Sequence, residues 1–516
     1  MSQNCFRALK IILVVFFVFV FTFKTFTFID PDLGWHLRAG EIVEQTGHAP
    51  QTDPWTYTMQ GHKWVDHEWL VDLVMWKFWQ NGTWFYVELF FVIVGLIPLL
   101  IWIRRAKFPV ELIWISLGAL MLLDITGVRP QILSFFLFFI VWELLAKRYI
   151  EKKSQKIFYA LPLLFLFWAN IHAGFVAGLG ILVVSLLIDL FQHQTKKGHI
   201  FPILRRDGVV VILSFLATLI TPYGINLWVE VVESTMTPLI RAISEWQSSF
   251  VSWNIAYPIF IGLLIGLIFA LHKKLNKTEM FISLIFIFAS ISHARMLPML
   301  LVIAIPLLGK CANEFYKLLY VTPEKEKINR IIAFTAIIVV TCTLFFIAKS
   351  GNIVYPYHPA MNAVRIETIL HKQVGGNTFN DYGLGGAIIL SDPSTHVFID
   401  GRLPHWRNGD GYSALQNYLD VISISGEWKH TFAKYDIRMV ILSHEHEDQI
   451  NAHKIIAQIN RYSPIMQMIL RVLLPDKTPI LLPELLENGW CRVYRDEEAT
   501  ILASPDTSLC HQKTTP

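Results

Sequence analysis

Charge is scarce in this 516-residue chain. Asp, Glu, Lys and Arg make up only 16% of it, against 54% hydrophobic and 14% aromatic residues, and mean hydropathy is +0.46. Soluble domains carry about a quarter charged residues, so the deficit excludes an ordinary soluble protein and points to the bilayer. The net charge of +4, spread along the chain, excludes the pooled basic patch that nucleic acid requires. Cysteine is also scarce. None of the five stands at zinc-finger spacing, and no HExxH occurs to support a zinc hydrolase. No Walker A sequence is present, which argues against direct ATP coupling, and there is no internal repeat or long low-complexity stretch.

Long apolar runs fill the gap. The first, Ile11 to Phe28, follows Arg7 and Lys10, exceeds a usual signal core and lacks a small-residue cleavage site, so it reads as a retained anchor. Others follow at about 84–103, 110–126, 130–146, 157–170, 173–191, 208–221, 255–271, 280–292, 296–309 and 331–348. These make about 11 transmembrane helices. With the N-terminus in the cytoplasm and strict alternation, the inner segments hold 22 Lys and Arg and the outer ones only six. The predicted fold class is therefore a polytopic α-helical membrane protein with a C-terminal extracytoplasmic α/β or α+β domain. The division is a 1–350 transmembrane module, with its first outer loop at 29–82, and a 351–516 soluble domain.

Unusual chemistry gathers on the outer side. The loop after the anchor reads DPDLGWHLRAGEIVEQTGHAPQTDPWTYT and then WVDHEWL, crowding Asp30, Asp32, Asp53, Asp66, Glu68, His36, His62 and His67 among tryptophans. Its pattern predicts a short amphipathic helix from about Leu33 to Gln45, a turn at TDPWTYT, and a second helix from Asp66 to Gln80 lying in the membrane interface. In extended backbone Asp30 and Asp32 would share a side and present two carboxylates to one pocket. Arg129 in VRPQ, Asn170 and His172 in NIHAGF, TPYG, Glu245 and Trp246 in ISEWQ, and Arg295 in HARMLP each stand at the mouth of an apolar run. Ionisable groups at that depth are expensive and face a cavity or a partner. The plainer alternative has the two arginines anchoring to lipid headgroups and Asn170 and His172 capping a hairpin.

These segments, in this order and together with NDYGLGGAIIL and VFIDGR, resemble the bacterial integral-membrane glycosyltransferases of the C superfamily (GT-C) over nearly the whole chain. The resemblance implies a multi-pass protein of the bacterial cytoplasmic (inner) membrane that uses a polyprenyl-phosphate sugar donor, with membrane lipids around it. Its acceptor is a glycan, lipid or protein of the envelope. It also implies a carboxylate early in the first outer loop as base or metal ligand, a place that Asp30 and Asp32 occupy. An arginine suits the leaving lipid phosphate, which assigns Arg295 and Arg129 to phosphate binding. His36, His67, Glu68 and His172 are candidates for orienting substrate. No cofactor is required outright; a divalent cation, Mg or Mn, is left open, with Asp30 and Asp32 as its ligands if it binds. A non-catalytic transporter or assembly component for envelope polysaccharide is the rival reading. The clustering of polar groups at outer mouths rather than at the midplane favours the enzyme.

Beyond residue 350 the apolar runs shorten. VGGNTFN, GGAIILS, HVFID and DIRMVILS read as strands, and helices are predicted near Ala360 to His371, Gly411 to Leu419 and His453 to Tyr462. The glycines of DYGLGG do not make a GxGxxG and read as tight turning between strands. In FIDGRLPHW, Asp400, Arg402 and His405 are equally readable as a structural ion pair or as a loop closing over the first outer segment. HEHED at 444–448 reads as an exposed loop or a metal site. Of the cysteines, only Cys491 and Cys510 lie outside together and could pair.

Overall fold

The computed structural model describes residues 3–27, 30–153, 155–193, 200–249, 256–319, 357–407, 411, 413–422, 428–443, 481–496 and 499–511. Three helices open the chain: α1 (Gln3–Thr27), α2 (Leu33–Thr46) and α3 (Trp69–Gln80). The chain forms two compact units. One comprises Met1–Phe28, Gly82–Leu227 and Ser244–Val354; the other comprises Ile29–Asn81, Trp228–Ile243 and Tyr355–Pro516. The last segment of the second unit begins at Tyr355, and the first loop and Trp228–Ile243 belong to the same unit.

The first unit is helical, as continuous apolar sequence without interior polar breaks dictates. Each apolar run up to residue 309 lies on a helix, while the run at 331–348, the HEHED segment and residues 453–462 lie outside the described residues. Among the described residues, five helices are long and apolar enough to cross a membrane: Gln3–Phe26, Trp84–Arg105, Pro130–Ile150, Phe175–Gln192 and Ala294–Cys311. Shorter apolar helices, among them Pro109–Leu122 and Tyr257–Leu271, accompany them. Pro98 and Pro306 sit inside the helices Trp84–Arg105 and Leu297–Leu319. Helices that cross a bilayer tolerate interior proline because neighbouring groups satisfy the freed carbonyl.

The second unit carries a four-stranded sheet in the order β1 (Asn377–Asn380), β2 (Ile437–Ser443), β4 (Ala499–Ala503), β3 (Cys491–Arg495). β1 and β2 are parallel, and the other pairings are antiparallel. The central strands IRMVILS and ATILA are mostly apolar because their faces are largely covered; all five residues of β4 are buried. The edge strand β3 carries Arg492 and Arg495 and is bulged between Arg492 and Tyr494, two devices that discourage further pairing. A Cys491–Cys510 disulfide ties that edge to the short helix Ser508–His511. Phe379 centres the core, its ring 4.7 Å from that of Phe398 and 5.7 Å from that of Tyr418.

Two strand expectations are corrected. Gly385–Ser391 is a helix, not a strand. The apolar run AIILS is as compatible with a buried helix turn as with a strand, and its two leading glycines allow a close approach that decides between them. Val397 in HVFID makes only an isolated parallel bridge to Thr56, and the rest of that segment is irregular. Its backbone is spent on the first loop instead: Val397 N–H donates to Trp55 O at 2.9 Å, and Tyr57 N–H donates to Val397 O at 3.2 Å.

Candidate active site

The second unit builds one group of acids. α2 begins at Leu33 because Asp30 folds the chain into a turn: its Oδ1 accepts the Asp32 N–H at 2.9 Å, and its carbonyl accepts the Leu33 N–H at 3.0 Å. Asp32 then takes the N-cap position at φ −84° and ψ −13°. The pair is therefore not in extended backbone, and the two carboxylates do not share a side in the strand sense. Asp30 is buried and holds the turn, while Asp32 is partly exposed. Four glycines allow this turn to be covered. A methyl group on Gly386 would overlap the Pro31 carbonyl, one on Gly34 the Gly386 carbonyl, one on Gly385 the Ile399 carbonyl, and one on Gly401 the Asp32 carboxylate. The DYGLGG run thus serves close helix packing rather than strand turning. Gly386→Val is expected to destabilise the protein by about 1–3 kcal/mol, since the colliding atom is backbone and cannot rotate away. A thermal melt checks it, and a wild-type midpoint would refute the packing argument.

Asp400 is the third acid near Asp32. Desolvation, then the Asp30 charge and the Asp400 charge, push the Asp32 carboxyl up to about 6; the His36 ring and a Trp35 hydrogen bond oppose the rise. His36 lies one turn further along α2. Its Nδ1 is 2.7 Å from Asp72 Oδ1 on α3, and its Nε2 is 3.6 Å from Glu68 Oε2. Asp66 and Asp72 are fully enclosed, and burial pushes both carboxyls well above the ordinary range; for Asp66, repulsion from Asp72 adds to it. A Cβ on Gly40 would strike the Asp72 backbone, so α2 and α3 touch at this point. His67 is more peripheral, 3.9 Å from Glu68. The second helix begins at Trp69, later than the sequence pattern suggests, because Asp66–Glu68 form the preceding turn.

Arg402 fixes Asp400. Its Nε and Nη2 donate to the two Asp400 oxygens at 2.9 and 2.6 Å, and Nη2 also reaches Asp53 Oδ1 at 2.9 Å. The rings of Trp55, Trp64 and Trp406 lie 4.8, 4.6 and 5.4 Å from its guanidinium carbon. Asp53 itself caps the TDPWTYT turn, accepting the Trp55 and Thr56 N–H groups. Both readings of FIDGR therefore hold, a structural ion pair and a wall beside the acid turn. His405 is 2.8 Å from Glu230.

The first unit builds a group of donors. Arg129 Nη2 donates to Glu245 Oε1 at 3.0 Å, and Arg295 Nη1 stands 3.7 Å from Glu245 Oε2. The Trp246 ring lies 5.1 Å below the Arg295 guanidinium. His172 completes the group with a defined tautomer. Trp168 Nε1 donates to Ser134 Oγ at 2.7 Å, so the Ser134 hydroxyl proton turns to His172 Nδ1 at 2.8 Å, where the Gly174 N–H also donates at 2.8 Å. With Nδ1 accepting twice, the neutral ring carries its proton on Nε2, which faces Arg295 Nη2 at 3.5 Å. Asn170 does cap the hairpin, donating to the Leu166 and Ile220 carbonyls.

The structure thus gathers Arg129, Arg295 and His172 in one unit, and Asp30, Asp32, His36 and Glu68 in the other. The sequence reading missed Asp400, Gly401, Asp72 and Asp53 as neighbours of the acid turn; only the density of acids in DHEWLVD hinted at Asp72. Among the described residues, no three His, Cys, Asp or Glu side chains gather as a metal ion would need, and no step is routed through one.

No protein-family model and no curated protein matches this chain. Solved structures do. The chain is similar to the Archaeoglobus fulgidus oligosaccharyltransferase in the apo form, with 11% identity, 86% of this chain and 70% of that chain covered, and a TM-score of 0.51. It is equally similar to the archaeal oligosaccharyltransferase AglB from Archaeoglobus fulgidus in complex with an inhibitory peptide and a dolichol-phosphate, at 11% identity, the same coverage and a TM-score of 0.52. The likeness is one of fold: this chain is built like an archaeal oligosaccharyltransferase.

Proposed function

We propose that this chain is a membrane glycosyltransferase of the GT-C type that moves a sugar from a polyprenyl-phosphate-linked donor to an envelope glycan, lipid or protein on the outer side of a bacterial inner membrane. The observation that carries the reading is Asp32: a carboxyl at a helix N-terminus, raised to about 6 by desolvation and the neighbouring acids. A carboxyl so placed is ionised at neutral pH yet basic enough to take a proton, which suits a general base. The fold likeness to an oligosaccharyltransferase, one structure of which holds a dolichol-phosphate, supports a lipid-linked donor. The Cys491–Cys510 disulfide supports an oxidising, extracytoplasmic setting for the C-terminal segment.

In this reading an acceptor hydroxyl attacks the anomeric carbon as its proton passes to Asp32. The bond from that carbon to the phosphate oxygen breaks, and the electron pair leaves on the lipid phosphate. Arg295 and Arg129, with His172 Nε2–H, receive the developing charge; guanidinium groups bind phosphate bidentately and stabilise it where water is scarce. His36 and Glu68 are assigned to orienting substrate beside Asp32, and His67, 3.9 Å from Glu68, belongs to the same group.

The test is transfer of radiolabelled sugar from a synthetic polyprenyl-phosphate donor to envelope extract by the full-length protein in nanodiscs. Label is expected in the extract fraction with wild-type protein. Label left wholly on the lipid for every sugar donor tried would refute the reading.

A further inference from the structure

Two of the arginine–carboxylate clusters among the described residues, those of Arg402 and Glu245, differ in kind. Around Arg402 the side chains are 2% exposed or less, and the guanidinium fork meets Asp400 with both arms. That pair is permanent. Around Glu245 the exposures are 13% for Arg129, 29% for Arg295 and 34% for Glu245. Here one carboxylate is divided between two guanidinium groups, close to Arg129 and beyond hydrogen-bond distance of Arg295. Partly solvated pairs of this sort contribute little stability and separate readily.

Glu245 hydrogen-bonds Arg129 at 3.0 Å but stands 3.7 Å from Arg295, so it neutralises the second guanidinium group only at a distance. A tetrahedral phosphate offers oxygens to both guanidinium groups at once. Arg295 does not depend on Glu245 for its position, because the Trp246 ring beneath it packs in turn against His293 at 5.7 Å. The His293–Arg295 segment is pinned to the Glu245 segment by backbone, Ala294 N–H donating to Gln247 O at 2.8 Å. Glu245 can therefore leave the two guanidinium groups by side-chain rotation alone, while its segment stays docked.

We propose that Glu245 is an exchangeable internal counter-ion of the lipid-phosphate subsite: the donor's phosphate displaces it on binding, and its return to Arg129 and Arg295 expels the lipid phosphate product. This rests on the assignment of the two arginines to phosphate binding. No covalent bond changes; one anion replaces another on the same two cations, and the displaced carboxylate turns to water. The site is kept neutralised between turnovers without holding its product.

Binding of farnesyl phosphate to the full-length protein in nanodiscs tests this. Glu245→Gln and Glu245→Ala are expected to bind roughly three- to tenfold more tightly than wild type, because the internal competitor is gone. In the transfer assay kcat and KM are expected to fall together, as product release slows. Glu245→Asp keeps the charge and is expected to restore wild-type affinity. Unchanged or weaker binding by Glu245→Gln and Glu245→Ala overturns the proposal. Weaker binding with a lowered melting temperature would assign Glu245 to the scaffold instead. The underlying assignment fails separately: it is lost if wild type does not bind farnesyl phosphate, or if Arg295→Gln binds as wild type does.

Discussion

Replacing Asp32 with Asn is expected to lower sugar transfer by about 10²- to 10⁴-fold, the usual contribution of a positioned base, while the protein still folds. Asn at the N-cap keeps the helix start, since it ranks with Asp there. The pH dependence follows from the raised carboxyl. Above about pH 6 Asp32 is ionised and able to take a proton; below it, wild-type activity should fall about tenfold per pH unit. The stability effect has the opposite sign to that of a salt-bridged acid. The folded-state value lies above the unfolded one, so ionising Asp32 opposes folding, and this cost is incurred as pH rises from about 4 through about 6. Asp32→Asn should therefore be somewhat more stable than wild type at neutral pH while nearly inactive. Activity profiles from pH 5 to 8, set beside thermal melts at the same pH values, check both halves. An Asp32→Asn protein with wild-type transfer would remove Asp32 from the chemistry. Asp30→Ala separates the two acids: it removes the oxygen that accepts the Asp32 N–H, weakens the turn that presents Asp32, and should give a less stable protein as well as a slower one.

Much of this arrangement follows from local sequence, and its limits are equally physical. Apolar runs separated by basic clusters give helices wherever the chain is described, because a long apolar segment has few other ways to satisfy its backbone. The helix read from Leu33 to Gln45 ends at Thr46 with Gly47 at φ +72°, a left-handed turn that glycine accepts without strain. The strands over NTFN and IRMVILS follow from β-branched and apolar residues in short runs. What local pattern does not carry is long-range pairing. Asp53 and Arg402 are nearly 350 positions apart, and no periodicity announces that one arginine serves both Asp53 and Asp400. The same holds for Arg129 with Glu245, and for the glycines of DYGLGG. Without Cβ atoms at 385 and 386 the segment lies against the Asp30 turn, which makes GGAIILS a helix there although its composition fits a strand as well.

Arg402→Met is expected to have the largest effect on stability, about 3–5 kcal/mol, because it leaves Asp53 and Asp400 enclosed with no cation between them. The three tryptophan rings around the guanidinium would lose a planar cation that fills the space between them, and the shorter methionine replaces part of the volume and none of the charge. Arg402→Lys separates charge from geometry. It keeps a positive group in the cage but cannot hold Asp400 with two arms while also reaching Asp53, so an intermediate loss is expected. The consequence extends to Asp32. Asp400 already raises its carboxyl, and an Asp400 charge paired less closely, by an ammonium in place of the two-armed guanidinium, would raise it further. Where Arg402→Lys remains folded, the acidic limb of its transfer profile should therefore move to higher pH, with activity recovering towards pH 8. Thermal melts of the full-length protein in detergent and the pH profile of transfer measure the two effects independently. An Arg402→Met protein that melts with wild type would show that the cage is not structural. An Arg402→Lys protein with the wild-type limb would disconnect the FIDGR loop from the base that it adjoins.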